Sequence, residues 1–163
     1  MKVVVLADTH TRGPSRPLPK GAWPYLESAD HILHAGDVTD PALLDQLEAC
    51  APLTVVLGNC DGLDVKQRGA RQRCEIELGG IRVAMVHDSG PAAGRRARLR
   101  SWFPTARVAV FGHSHLPLVE DDGELLLLNP GSPTWPRRAP WPSLGMLGID
   151  PASASVEAEV FPV

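Results

Sequence analysis

The stretch Val108-Ala109-Val110-Phe111-Gly112-His113-Ser114-His115 decides the predicted fold. Its four apolar residues are enough for a short buried strand, and the glycine begins a loop that carries two histidines one residue apart. Such a segment delivers two imidazoles to the C-terminal end of a strand. The same arrangement recurs elsewhere in the chain, and that recurrence predicts a shared site.

Five further apolar runs end in a tight polar turn or in residues of the kinds that bind metal ions. The runs and the residues that follow them are Val3–Ala7 with Asp8-Thr9-His10, His31–Gly36 with Asp37, Leu53–Gly58 with Asn59-Cys60-Asp61, Ile81–Val86 with His87-Asp88, and Leu125–Leu128 with Asn129-Pro130-Gly131-Ser132. In α/β proteins, binding residues gather just outside the C-terminal strand ends. We therefore expect these strand ends to meet.

The composition is that of an ordinary globular protein. At 163 residues the chain is expected to form one domain over residues 1–163, with 44% hydrophobic and 21% charged residues. A net charge of −3 does not indicate a basic surface that would bind nucleic acid or an anionic membrane. The first apolar run meets Asp8 too early for a signal peptide or membrane span. Cys50, Cys60 and Cys74 are odd in number and lack paired spacing, which favours a reducing, cytoplasmic compartment.

The order of the predicted elements indicates an α/β fold with mixed sheets. A helix that begins at Asp40-Pro41 lies between strands at Asp30–Ala35 and Leu53–Leu57, which predicts a parallel βαβ unit. Gly79-Gly80 predicts a hairpin, so the sheet it belongs to is not purely parallel. The remaining predictions are strands at 1–7, 144–149 and 155–161, a helix at 92–102, and irregular loops at 12–24, 61–73 and 133–142. Two mixed sheets packed together, with helices outside, are expected.

Seven strand-end residues are candidate metal ligands: Asp8, His10, Asp37, Asn59, His87, His113 and His115. Taken alone, a His-x-His pair is more often an accident of the surface or core, and Gly-Asp after a strand is usually a turn. Their joint occurrence at successive strand ends favours a common centre. Imidazole with carboxylate suits Mn²⁺, Fe²⁺, Zn²⁺ or Ni²⁺ better than Mg²⁺ or Ca²⁺. One zinc takes about four ligands, so the set is large enough for two ions that share a carboxylate.

The ordered motifs Asp8-Thr9-His10, Gly36-Asp37, Gly58-Asn59-Cys60-Asp61, His87, Gly112-His113-Ser114-His115 and Asn129-Pro130-Gly131-Ser132 resemble those of the calcineurin-like metallophosphoesterases. Within that superfamily the chain is similar, from residue 1 to about residue 150, to the small single-domain YfcE-like phosphodiesterases. The resemblance implies a four-layer αββα sandwich. It also implies two divalent ions, with Mn²⁺ the first choice, and hydrolysis of a small phosphate ester by a hydroxide that bridges them.

The same resemblance divides the ligands between the ions. Asp8, His10, Asp37 and His115 would hold one ion, and Asp37, Asn59, His87 and His113 the other. Asp37 would be the bridge. Asn59, Asp37 and His113 would act directly in catalysis, and Asn59 could bind a phosphoryl oxygen.

Two departures from the family pattern affect the expected substrate. Larger relatives have a histidine where this chain has Cys60, and that histidine is thought to assist the leaving group. The cysteine therefore favours activated esters, aryl or nucleotide. Asp88 replaces a frequent glycine and brings negative charge near the site, where it would either weaken anion binding or select a substrate.

Several other residues have weaker predicted roles. Arg12 and Arg137 lie on loops expected to overhang the metals and are candidate phosphate contacts. Asp61 is expected to orient the ligands, and His34 to be a hydrogen-bonded core histidine. The loop tryptophans, among them Trp135, would line a substrate rim, contact another subunit or anchor their loop.

Three alternatives remain open at the level of sequence. The first is a phosphomonoesterase. The second is a non-catalytic scaffold protein similar to the retromer subunit that shares this fold. The third, a nuclease, is disfavoured because the net charge of −3 does not indicate a basic groove. The physiological ester and the native metals are not specified by the sequence, and neither is the oligomeric state, for which a homo-oligomer is one alternative.

Overall fold

The structure is a computed structural model that describes residues 1–163. Its strands are β1 (Lys2–Leu6), β2 (His31–His34), β3 (Leu53–Val55), β4 (Arg73–Leu78), β5 (Ile81–Val86), β6 (Val108–Val110), β7 (Leu118–Asp121), β8 (Leu126–Asn129), β9 (Ser143–Asp150) and β10 (Ser155–Pro162). Its helices are α1 (Trp23–Glu27), α2 (Ala42–Cys50), α3 (Leu63–Gln67) and α4 (Arg95–Trp102), and a short 3-10 helix covers Lys20–Ala22.

The strands form two mixed sheets, as predicted. The first has the order β10-β9-β1-β2-β3, in which β1, β2 and β3 are parallel and the last two strands of the chain are antiparallel. The second has the order β4-β5-β6-β8-β7, with parallel β5, β6 and β8 between antiparallel edges. Each sheet therefore has parallel strands next to one another, so their C-terminal ends lie together.

Alternate residues of the central strands point to different cores and create four layers. Val3 and Val5 of β1 pack between the sheets, whereas Val4 and Leu6 face α1 and α2. In the second sheet, the face that turns away from the first packs against α4, including Leu99. Because side chains alternate across a strand, one buried strand contributes to two cores. The layers are helix, sheet, sheet, helix, so the expected αββα sandwich is confirmed.

The structure differs from the predicted elements in short segments with little periodic signal. The helix α3 lies within the loop predicted at 61–73, and it buries only Val65. The strand β7 was not predicted, because it is an edge strand whose residues are mostly exposed. The predicted helix at 92–102 begins only at Arg95, after Gly94 in the left-handed conformation with φ 70°. None of the helices combines the length and apolar character that a membrane span requires.

Candidate metal centre

The seven predicted ligands meet where the strands end. Asp8 and His10 follow β1, Asp37 follows β2, and Asn59 lies on the loop after β3. His87 follows β5, and the two histidines of the Gly112–His115 loop follow β6. The first sheet thus contributes the carboxylates and the amide, and the second contributes three of the four histidines. The site lies between the two sheets, at the C-terminal ends of their parallel strands.

Asp8, His10 and His115 form a buried inner group. The Nε2 atom of His115 is 3.4 Å from Asp8 Oδ1 and 3.3 Å from His10 Nε2. The three side chains can present one donor atom each within 4.8 Å of one another. Their residues are 0%, 5% and 0% exposed, in the order Asp8, His10, His115. Such a closed set of one carboxylate and two imidazoles is the ligand chemistry of a transition-metal ion.

The carboxylate of Asp8 shows most directly that a cation fits here. Both of its oxygens are buried and have no hydrogen-bond partner. Burial raises the pKa of Asp8 to about 7, and the nearby charge of His87 opposes that shift. An ionised carboxylate without partners is costly in a protein interior, and a bound metal ion would remove that cost.

Asn59, His87 and His113 form an outer group. The Oδ1 atom of Asn59 is 3.0 Å from His87 Nε2 and 2.9 Å from His113 Nδ1. The amide nitrogen of Asn59 donates to Cys60 Sγ at 3.3 Å, which turns the amide oxygen toward the two imidazoles. Asn59 and His113 are more open to solvent, whereas His87 is buried. This group therefore offers ligand atoms on the side that faces solvent.

Asp37 lies between the two groups. Its Oδ2 atom is 3.5 Å from His10 Nε2 and 3.4 Å from His87 Nε2. Its Oδ1 atom accepts a hydrogen bond from the backbone N–H of Cys60 at 2.7 Å. Burial raises the pKa of Asp37, but hydrogen bonds from His87 and Cys60 outweigh it and hold the pKa well below its usual range. The carboxylate is ionised and has one oxygen directed at both groups.

Backbone carbonyl groups orient two of the histidines. The Nδ1 atom of His87 is 2.8 Å from the carbonyl oxygen of Ala35, and that of His115 is 2.5 Å from the carbonyl oxygen of Trp135. A carbonyl oxygen can only accept, so each Nδ1 carries a proton and each Nε2 is directed into the site. This is the usual environment of a metal-binding histidine. Burial also lowers the pKa of His115 to about 4, which favours the neutral imidazole.

Five of the candidate ligands have left-handed backbone conformations. Their φ angles are 53° for Asp8, 41° for His10, 58° for Asp37, 68° for His113 and 59° for His115. Residues other than glycine rarely adopt this conformation, and it persists only where surrounding contacts enforce it. The loops that carry the ligands are therefore held by contacts with their neighbours.

Asp61 joins the loops that carry Asp37 and Asn59. Its Oδ2 atom accepts the backbone N–H groups of Asp37 at 3.0 Å and Gly58 at 2.8 Å, and its Oδ1 accepts that of Thr39 at 2.9 Å. A Cβ at Gly58 would lie 2.1 Å from the backbone nitrogen of Asp37, so only glycine permits this approach. The prediction that Asp61 orients the site is confirmed.

His34, at the end of β2, connects the loops after β1 and β2 by hydrogen bonds. Its Nδ1 atom accepts the backbone N–H of Gly36 at 3.2 Å, so its Nε2–H donates to Thr9 Oγ1 at 3.0 Å. The side chain is fully buried, and the prediction of a hydrogen-bonded core histidine is confirmed. The sequence did not indicate Thr9 as its partner.

The motif Asn129-Pro130-Gly131-Ser132 supports the site and adds no ligand. Ser132 Oγ donates to the backbone carbonyl of Asp8 at 2.7 Å and accepts the backbone N–H of Trp135 at 2.9 Å. Asn129 Nδ2 donates to the carbonyl of Gly112 at 2.9 Å. The motif thus connects the loop after β1 with the loop that covers the inner group.

A cavity of about 620 Å³ opens beside the inner group. Arg12, Arg137, Trp135, Cys60 and His10 are among its lining residues. The sequence-predicted phosphate contacts, Arg12 and Arg137, therefore both face the same opening. The ring centroid of Trp135 is 5.4 Å from that of His10, which makes this tryptophan a wall of the site.

Cys60 and Asp88 lie on different sides of the centre. Cys60 can present its sulfur within 4.8 Å of donor atoms of His10 and Asp37, a proximity that the sequence alone did not indicate. Asp88 lines a separate cavity of about 310 Å³ beside Asn59 and His87. Its Oδ1 atom accepts the backbone N–H of Gly90 at 2.7 Å.

Comparisons with known proteins agree with this architecture. A model of the calcineurin-like phosphoesterase superfamily domain matches residues 1–151. The chain is 34% identical over 163 residues to a probable metallophosphoesterase of Methanocaldococcus jannaschii, covering 100% of this chain and 82% of the relative. It is 27% identical over 156 residues to phosphodiesterase YfcE of Escherichia coli K12, covering 91% and 72%.

The fold also matches solved structures. A single mutant of Vps29 from Entamoeba histolytica superposes with a TM-score of 0.78 at 22% identity, covering 99% of this chain and 98% of that one. The family match and the arrangement of the strand ends define a metallophosphoesterase fold. This chain belongs to the calcineurin-like phosphoesterase superfamily.

Proposed function

We propose that the protein is a phosphodiesterase that uses two divalent transition-metal ions. The observation that carries the proposal is the position of Asp37 Oδ2, 3.5 Å from His10 Nε2 and 3.4 Å from His87 Nε2. One carboxylate oxygen between two imidazoles of different groups is what a shared ligand requires. The name of the Escherichia coli relative, a phosphodiesterase, supports the same reaction class.

The ligand assignment follows the two groups. Asp8, His10, His115 and Asp37 would hold the inner ion, and Asn59, His87, His113 and Asp37 the outer one. His113 and His115 thus serve different ions. Mn²⁺ is the first choice, and Fe²⁺, Zn²⁺ and Ni²⁺ have the same ligand preferences. The orphaned carboxylate of Asp8 and the two Nε2 atoms directed into the site support the fit.

When bound, the ions would lower the pKa of a water molecule toward about 7 and neutralise charge on the phosphoryl group. The residues of the chain have the remaining tasks. Asp37 stays ionised and orients both halves of the centre. Asn59 and His113 lie at the solvent side, where they can contact a phosphoryl oxygen. Arg12 and Arg137 line the neighbouring cavity and place positive charge where an anionic substrate enters.

The position of Cys60 favours esters with a good leaving group. The backbone N–H of Cys60 is committed to Asp37, and the sulfur accepts from Asn59. Burial raises the pKa of the Cys60 thiol, and the negative charge of Asp37 raises it further, so it is a poor acid at neutral pH. Without a stronger proton donor, aryl and nucleotide esters should be cleaved faster than alkyl esters.

The test is hydrolysis of bis-p-nitrophenyl phosphate and p-nitrophenyl phosphate by purified protein reconstituted with Mn²⁺. We expect the diester to be the better substrate, and Asp37→Asn and His87→Ala to abolish the activity. A preference for the monoester would make the protein a phosphomonoesterase. If neither ester is cleaved, or if the variants remain as active as the parent, the enzymatic proposal fails and a scaffold function, compatible with the fold similarity to Vps29, takes its place.

The remaining assignments are also proposals. The core shared by both sheets supports a single domain over residues 1–163. Three free cysteines support a reducing, cytoplasmic compartment. A small phosphate ester is the proposed partner, whereas nucleic acid and membranes are not proposed as partners. Exposed Trp141, at 47%, is available for a homo-oligomer contact that sedimentation analysis would detect.

A further inference from the structure

The arginines in two regions of this chain differ in their electrostatic surroundings. Three arginines on α4 and just before β6 are neutralised: Arg96 pairs with Asp122 at 3.2 Å, Arg100 with Glu124 at 2.8 Å, and Arg107 with Asp121 at 2.7 Å. The other two arginines of α4, Arg95 and Arg98, form no ion pair but lie away from the metal centre. Arg12, Arg16 and Arg137, which lie around the metal centre, form no ion pair and donate no side-chain hydrogen bond to the protein. The chain is acidic overall, with a net charge of −3, so this unpaired cluster does not arise from a shortage of carboxylates.

Two of the unpaired guanidinium groups lie against one aromatic ring. Arg16 Cζ is 5.1 Å and Arg137 Cζ is 4.9 Å from the ring centroid of Trp135. The ring attracts each cation, but the two cations repel each other. The Nη1 atom of Arg16 is moreover buried without a hydrogen-bond partner. An anion bound to these guanidinium groups would supply an acceptor and offset the repulsion.

The loops hold these side chains close to the ligands. Trp135 contacts both histidines of the inner group, with ring centroids 5.4 Å from His10 and 5.7 Å from His115. Arg137 has the left-handed φ of 52°. The loop of Arg16 is closed by hydrogen bonds, including one from the backbone N–H of Arg12 to the carbonyl of Arg16 at 3.3 Å. The guanidinium groups are therefore one aromatic ring away from a ligand of the metal centre.

Asp40 is the acidic residue that lines the same cavity. Its Oδ2 atom accepts the backbone N–H of Gly13 at 2.9 Å, and its Oδ1 accepts that of Ala42 at 3.0 Å. Both oxygens are thus engaged by the backbone, at the base of the loop and at the start of α2. The carboxylate forms no ion pair with Arg12, so the arginines keep their charge for a ligand.

We propose that Arg16 and Arg137, held against Trp135, with Arg12 beside them, form a subsite for a second phosphate on the substrate. The substrate class would be a small phosphodiester that carries a further phosphate group. This inference rests on the proposed function, because the first phosphate is the one at the metal centre. Guanidinium forks suit phosphate because they can donate two parallel hydrogen bonds. Three arginines match one phosphate and fall short of the long basic groove that nucleic acid requires.

The test uses a matched pair of esters, the p-nitrophenyl ester of thymidine 5′-phosphate with and without a 3′-phosphate. With Mn²⁺-reconstituted protein, the ester with the second phosphate should have a kcat/KM at least about tenfold higher, mostly through KM. In Arg16→Gln and in Arg137→Gln, that preference should fall to about twofold or less. Arg138→Gln removes the same charge from the next residue, which is exposed and not against Trp135, and should keep the preference.

Binding provides a second measurement that does not depend on turnover. Calorimetric titration should show thymidine 3′,5′-bisphosphate binding at least about tenfold more tightly than thymidine 5′-phosphate, with the difference lost in the two arginine variants and kept in Arg138→Gln. If no ester is cleaved but this binding pattern is present, the proposed function fails and the subsite stands. Equal binding of the two nucleotides, or a difference that survives both variants, overturns the subsite.

A third arm separates a small substrate from a polymer. Short oligothymidylate without a terminal phosphate should bind no more tightly than thymidine 5′-phosphate, because its backbone phosphates carry one charge each. Arginine-dependent binding of the oligomer as strong as that of the bisphosphate would overturn the assignment to a small substrate.

Discussion

The inner and outer groups of the centre have similar types of candidate ligand but differ in their exposure to solvent. Asp8, His10 and His115 are enclosed by the protein, and Asp8 is 0% exposed. Asn59 and His113 of the outer group are more open to solvent. Enclosure favours tight, specific metal binding, and openness permits contact with a substrate. Metal affinity should therefore depend mainly on the inner group, and turnover mainly on the outer one.

The largest effect is expected from the residue that both groups share. Asp37→Asn should lower kcat/KM for bis-p-nitrophenyl phosphate by at least about 10³-fold, because it removes a charge from both halves at once. Metal analysis should show less than two ions per chain. A variant that keeps two tightly bound ions and near-parental activity would break the idea of a shared carboxylate.

Asp8→Asn should have opposite effects with and without metal. In the metal-free protein, the pKa of Asp8 is raised from 3.8 to about 7, so the folded state binds its proton more tightly than the unfolded state does. Stability from this group is then highest at low pH and falls as the pH rises from about 4 to about 7. At pH 8, Asp8→Asn should therefore raise the free energy of unfolding by about 2–4 kcal/mol in a chelator.

With Mn²⁺ present the order of stability should reverse, so that the parent is more stable than Asp8→Asn, because only the parent gains stability from binding the ion. Urea denaturation of both proteins at pH 8, with chelator and with Mn²⁺, measures the four free energies. A variant less stable than the parent in chelator would show that the buried carboxylate is satisfied without metal.

His113→Ala should affect turnover more than stability. The side chain is exposed, so we expect a change in unfolding free energy within about 0.5 kcal/mol. Activity should fall by about 10²-fold, because the outer group loses a ligand. Calorimetric titration with Mn²⁺ should retain the tight inner site and weaken the other. His31→Gln changes a histidine that lies outside the centre and contacts Thr54, and as the control it should leave activity and Mn²⁺ binding unchanged.

The pH dependence of metal binding at the tighter site should follow the titration of Asp8. Asp8 must lose its proton to bind the inner ion, and its pKa is about 7 in the metal-free protein. The affinity of the tighter site should therefore decrease as the pH falls below about 7, by up to about tenfold per pH unit. Asp37, with its pKa well below the usual range, should add no such dependence. A tight-site affinity that is constant between pH 5 and pH 7 would contradict this.

The smallest effect is expected at Cys60. Its backbone N–H donates to Asp37, and its sulfur lies near Asp37 and accepts from the amide of Asn59. A serine hydroxyl can accept in the same way, so Cys60→Ser should change kcat/KM by less than about threefold. A loss greater than tenfold would show that the thiol itself takes part in the reaction.

The sequence predicted the sheets and the meeting of the ligands because both follow from strand periodicity. Val3 to Leu6 is apolar at every position, which requires burial on both faces, and the ligands follow the strands closely. It could not predict β7 or α3, because an exposed edge strand and a helix of one turn have no such periodicity.

The finer features of the site depend on contacts between distant segments. The sequence did not single out Arg16, because its contact with Trp135 joins two loops that are distant in the chain. The two residues are 119 positions apart (135 − 16). The hydrogen bond of His34 to Thr9 and the left-handed φ of Asp8 likewise depend on packing. Local propensity contains no information about such contacts.

The carbonyl groups that orient His87 and His115 have a consequence for the evolution of this centre. A backbone acceptor is present whatever amino acid occupies position 35 or position 135, so no substitution there deletes the atom that fixes the imidazole. A side-chain acceptor could be lost through one mutation. The orientation of these two proposed ligands is thus inherited with the path of the main chain, and the surrounding side chains can change without altering it.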